Sequence, residues 1–81
     1  MTVRVLLFGP EAAAAGKRHV EVTVPHNATC ASVKAAIAAV EPVLAASVAA
    51  ARLAVNGEFA GTEQRVGPGD EVALIGMVSG G

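Results

Sequence analysis

The chain has 81 residues, 53% of them hydrophobic and 16% charged, with a formal net charge of -1. This composition excludes a disordered chain and allows one domain with one core. Aromatic residues make up 2% of the chain and no basic stripe is present, which excludes nucleic-acid binding by phosphate neutralisation and base stacking.

The opening MTVRVLLFG is apolar, but it lacks the long apolar stretch and small-residue cleavage site of a signal peptide. No apolar run reaches the ~18 residues of a membrane span, so no membrane partner is expected. TVRVLLFG reads as a strand ending at Gly9-Pro10. Val3, Val5 and Leu7 share its inward side, and Arg4, Leu6 and Phe8 the outward side. PEAAAAG predicts a short helical turn closed by Gly16. RHVEVTVP alternates strictly, with Val20, Val22 and Val24 inward and His19, Glu21 and Thr23 outward, and ends at Pro25. The two strands, near in sequence, form an antiparallel pair.

HNATCASVKAAIAAVEP follows, with Asn27 or Thr29 as N-cap. Val33, Ile37, Val40 and Leu44 recur at helical spacing and predict one core-facing stripe. Pro42 limits this helix and starts a second, shorter helical piece in PVLAASVAAA. RLAVNGEFAG carries Asn56-Gly57 between two β-type runs, the signature of a tight hairpin. GPGDE is a further turn. EVALIG is the last strand, with Val72 and Leu74 inward and Ala73 and Ile75 outward. The order β-β-α-β-β-β, with right-handed crossovers, predicts an α+β fold of the β-grasp (ubiquitin-like) type. It has a mixed sheet with one main helix packed on one face. The folded domain is expected over residues 1–75, with a flexible Gly-Gly tail over 76–81.

Little in the interior can do chemistry. No nucleophile triad, P-loop or dinucleotide fingerprint is present. His19 and His26 lack the convergent partners a zinc site needs, so no metal is expected. Cys30 lies at a helix N-terminus, which could lower its pKa, although a small core residue is the simpler reading. As the only cysteine it cannot form an internal disulfide, and a free thiol without a secretion signal points to the cytosol. The end of the chain is different. Gly80 and Gly81 have no Cβ, and so form a backbone thin enough for a narrow channel. An ionised terminal carboxylate is a poor electrophile. Adenylation with ATP would activate it, and a sulfur donor could then displace the adenylate to leave a thiocarboxylate on Gly81.

The β-grasp order, VRVLLFG at the start, LAVNGE in the middle, PGDEVALI and the closing VSGG together resemble the small, sulfur-carrier subunit of molybdopterin synthase, over essentially the whole chain. Related carriers for thiamine thiazole, cysteine and tRNA thiolation share the ending. The resemblance implies a non-catalytic subunit, with no permanently bound cofactor, whose Gly81 is adenylated with ATP by a partner similar to ubiquitin-activating enzymes and loaded from a sulfurtransferase. The loaded tail would then enter the large subunit of molybdopterin synthase and deliver sulfur for the molybdopterin dithiolene, within a heterotetramer. The family usually carries two prolines where this chain has Gly76-Met77. A ubiquitin-like modifier joined to lysines through Gly81 is the alternative, since both begin with the same adenylate. A plain binding module that does not use its terminus is a third.

Strand phase also predicts a docking face. If the helix covers one side of the sheet, Phe8, Phe59 and Ile75 collect on the other, where the resemblance implies a hydrophobic contact with partner enzymes. Met77 and Val78 would add apolar grip inside a channel, and Arg4, Lys17, Arg18, Arg52 and Arg65 are candidates for its rim.

Overall fold

The computed structural model describes residues 1–76, so the expectations for Met77, Val78, Gly80 and Gly81 lie outside the described residues. The elements run β1 (Thr2–Leu6), α1 (Gly9–Ala15), β2 (His19–Thr23), α2 (Cys30–Val40), a 3-10 turn (Pro42–Leu44), α3 (Ala45–Ala50), β3 (Arg52–Val55), β4 (Glu58–Ala60) and β5 (Val72–Ile75). The five strands form one mixed sheet in the order β2-β1-β5-β3-β4. β5 is antiparallel to β3 and parallel to β1, through Val5↔Val72 and Leu6↔Ala73. This is the β-grasp arrangement, and the inner position of β5 follows from the long crossover between β2 and β3, which lets the last strand return beside the first.

Alternation decides which side of each strand is buried. Val3, Val5 and Leu7 from the first strand region, Val20, Val22 and Val24 from the second, and Val72 and Leu74 from β5 are all buried. They meet Val33 and Ile37 of α2, Leu44 and Val48 in one core. The helices therefore cover a single face of the sheet, and the other stays open.

Local chemistry sets the boundaries. Thr29 caps α2, its hydroxyl accepting from the Ser32 N–H at 3.3 Å. Gly16 closes α1 in the left-handed region, at φ 70°, and its N–H donates to the Ala12 carbonyl at 2.9 Å. The β3–β4 hairpin turns through Asn56 at φ 53° and Gly57 at φ 84°, two consecutive left-handed residues as a type I′ turn requires. Asn56 also ties this turn to the one before β5. Its amide Nδ2 donates to Asp70 Oδ1 at 3.0 Å, its Oδ1 accepts from the Glu71 N–H at 2.9 Å, and its N–H donates to the Glu71 carbonyl at 2.7 Å.

The predicted stripe on α2 fails at one position. Val40 is 51% exposed. α2 ends there, and Glu41 at φ −124°, ψ 80° breaks the helical phase. Leu44 reaches the core through the 3-10 turn instead of continuing the stripe.

Candidate functional site: the open sheet face and the exit of β5

The open face is built from the outward phase of four strands. One rung crosses it by backbone register: Leu6 beside Ala73, Ala73 beside Ala54, and Ala54 beside Phe59. The two central positions are alanines, so the middle of the rung is low and its ends are high. The outcome is a groove of about 280 Å³ lined by Phe8, Ala54, Gly57, Phe59, Glu71, Ala73 and Ile75. Phe8 and Phe59 are 53% and 58% exposed. Phe8, Phe59 and Ile75 thus share one surface, as the strand phase predicts. The two alanines that make it concave carry no sequence signal by themselves, and only the register reveals them.

Charges stand at the rim. The Arg52 guanidinium lies over the Phe59 ring, 4.7 Å from its centroid, where the ring quadrupole attracts it. Arg52 pairs in register with Ile75 on β5. Arg4 lies on the same face and approaches His19 Nδ1 at 3.2 Å. Lys17 is engaged elsewhere, in an ion pair with Glu41 at 2.8 Å. Arg18 borders a second, shallower hollow with Leu6, Leu7, Phe8, Gly9 and Ala12. Arg65 is exposed, and its backbone bridges to Thr29 beside the start of α2. Arg52 and Arg4 therefore belong to the open face, and Lys17 and Arg65 do not line its groove.

The groove runs directly to the end of β5. Ile75, its last residue, lines the groove, and Gly76 follows. Gly76 has little room around it: a Cβ built there would collide with Glu11 Oε1 and lie 2.9 Å from Glu11 Cδ. Glu11 is buried, at 7% exposure. In the sequence Glu11 opens an alanine-rich helical stretch, and no motif marks it.

The interior side chains are inert. Cys30 is buried, at 1% exposure, and desolvation pushes its thiol pKa up from the ordinary value. The helix N-terminus does not win against burial here, so Cys30 is a core residue and not an activated nucleophile. Among the described residues no three His, Cys, Asp or Glu side chains converge on a metal position. No helix among them is long and apolar enough to cross a membrane.

The described residues thus form a one-sided β-grasp body with an apolar groove that leads to the end of its last strand. The model of the ThiS family matches residues 5–81. The chain belongs to the ThiS family. It is a ubiquitin-like sulfur carrier. No curated protein sequence matches it. Among solved structures, this ThiS-family chain is similar to SAMP1 from Haloferax volcanii, with 30% identity, full coverage of both chains and a TM-score of 0.84. It is also similar in fold to a putative molybdopterin converting factor, subunit 1, from Pyrococcus furiosus (21% identity, 96% of this chain and 99% of that one, TM-score 0.82). A third similar structure is in the protein-protein complex of subunits 1 and 2 of the molybdopterin-converting factor from Helicobacter pylori, with 21% identity, full coverage of both chains and a TM-score of 0.67.

Proposed function

We propose that this ThiS-family carrier is the sulfur-donating small subunit of molybdopterin synthase. The Gly81 carboxylate attacks the α-phosphate of ATP on a ubiquitin-activating-like adenylyltransferase and releases pyrophosphate. The terminal sulfur of a sulfurtransferase persulfide then attacks the acyl carbon and expels AMP, and a thiol cleaves the resulting acyl disulfide, forming a disulfide with the sulfurtransferase sulfur and releasing the thiocarboxylate. The loaded tail enters the large subunit, where its sulfur is transferred to the pterin precursor of the dithiolene. The protein brings no catalytic side chain to these steps. Its part is to dock and to deliver a thin reactive end.

The observation that carries this reading is the continuity of the apolar groove of Phe8, Phe59 and Ile75 with the exit of β5. A partner seated on the groove covers apolar area and at once receives the chain that follows Gly76. The family match running through Gly80 and Gly81 supports the use of the terminus. The shared fold with the small component of the Helicobacter pylori two-subunit complex supports a large-subunit partner.

Likeness to SAMP1, whose counterpart structure is described as a small archaeal modifier protein, favours a second reading as a protein modifier. Intact-mass spectrometry separates the two after incubation with ATP, the adenylyltransferase and a sulfur donor. A carrier gains the mass difference of one oxygen replaced by sulfur, and the product then converts precursor to molybdopterin with the large subunit. Conjugates to lysines of other proteins, with no thiocarboxylate, would overturn the first reading in favour of the second.

A further inference from the structure

Among the described residues, Glu11 is the one charged side chain that is buried. It sits in the first turn of α1, after Gly9 and Pro10. A carboxylate is favoured in that turn by the unpaired N–H groups and the helix dipole, but this accounts for its position along the helix and not for its burial. Its carboxyl group ends against Gly76. The Glu11 carboxyl group fills the volume that any side chain at position 76 would occupy. The φ of Gly76 is not in the left-handed region, so what a side chain at position 76 would meet is the end of the Glu11 side chain and not a backbone restriction. The contact joins α1, at one end of the helical layer, to the first residue beyond the central strand β5.

We propose that Glu11 is a positioning residue for the C-terminal tail: its carboxyl group packs against Gly76 and sets the direction in which the chain leaves β5. A Cβ at residue 76 would push the Glu11 carboxyl group out of this contact. The role deepens the carrier reading and rests on it, since direction matters when the tail must enter another protein. Holding Gly76 in advance removes the ordering of that residue from the association step, so the contact acts on how well the tail is captured and not on the chemistry at Gly81. An amide of the same shape can pack against Gly76 in the same way.

The test compares the full-length wild type with Glu11→Ala, Glu11→Gln, Gly76→Ala and the double variant Glu11→Ala/Gly76→Ala. Two readouts are needed. One is the backbone 15N order parameter of residue 76. The other is the pyrophosphate-exchange rate with the adenylyltransferase, with the carrier as the varied substrate. Glu11→Ala is expected to lower the order parameter and to raise KM about three- to tenfold at unchanged kcat. Glu11→Gln stays within about twofold of wild type on the same scale. Gly76→Ala lowers the melting temperature, and adding Glu11→Ala restores it because the space has been vacated. A Glu11→Ala variant with wild-type order parameter and KM overturns the proposal, as does a Gly76→Ala melting temperature that Glu11→Ala does not restore. If the wild type itself supports no exchange, the carrier reading fails, while the order parameter and the double-variant melting data still decide whether Glu11 holds Gly76.

Discussion

Replacing Phe8 with aspartate separates docking from folding, because the two respond to different halves of the same side chain. Phe8 is the N-cap residue of α1, in extended conformation at φ −136°, ψ 158°, and makes no side-chain cap hydrogen bond. Aspartate is among the best N-cap residues, and satisfying an orphan N–H there contributes about 1 kcal/mol. Pro10 has no N–H to offer, so the Glu11 N–H is the target. Against this gain stands the covered half of the ring. Phe8 is 53% exposed. If the ring side chain carries about 200 Å², about 90 Å² is packed on the fold and about 100 Å² is open to a partner. At ~25 cal/mol per Å², the packed part contributes about 2 kcal/mol to folding and the open part about 2.5 kcal/mol to docking. Phe8→Asp should therefore lose about 1 kcal/mol of stability, or about 5 °C in melting temperature. Its affinity for the proposed partner, the molybdopterin synthase large subunit, should fall by at least about a hundredfold, since a carboxylate must also be desolvated. Isothermal titration calorimetry against the large subunit measures the second number, and thermal unfolding of the free protein the first. A dissociation constant unchanged within a factor of about two would refute the groove as the docking face.

Two further outcomes follow from the loop network. Asn56→Ala removes a residue that tolerates the left-handed turn and two side-chain hydrogen bonds to Asp70 and Glu71. Chemical denaturation should show a loss of about 1–3 kcal/mol, and a loss below about 0.5 kcal/mol would mean that the turns are not coupled. Asp70 accepts from the Gly67 N–H at 2.7 Å and from the Asn56 amide, and these bonds hold its pKa below the ordinary 3.8. With the folded pKa below the unfolded one, its contribution is fully present above the unfolded pKa and is lost as pH falls through the folded one. Melting curves below about pH 4 should therefore be flatter against pH for Asp70→Asn than for the wild type; identical acid slopes would contradict the assignment.

The order of elements was legible because the strands write their own phase. Val3, Val5, Leu7, Val20, Val22 and Val24 alternate without error, and the same alternation placed Phe8 and Ile75 on the opposite side. Asn56-Gly57 announced its hairpin by residue type alone. Val40 did not conform, because periodicity assumes that the helix continues, and the turn at Glu41 rotates the chain before Leu44. Ala54 and Ala73 were unreadable as a groove floor, since only the register of β3 against β5 makes them neighbours. Glu11 was invisible for the same reason: its partner, Gly76, lies 65 positions further along the sequence. Contacts of that separation leave no local pattern.

The inner place of β5 bears on what happens under mechanical load. A partner that grips the tail and pulls transmits the force to a strand bonded on both sides, to β1 and to β3. Peeling from an edge, one bond at a time, is closed to such a pull. The ladders on both flanks must slide together, with every rung strained at once. Traction on the end of this chain is therefore shared between one parallel and one antiparallel ladder and does not fall on an edge strand.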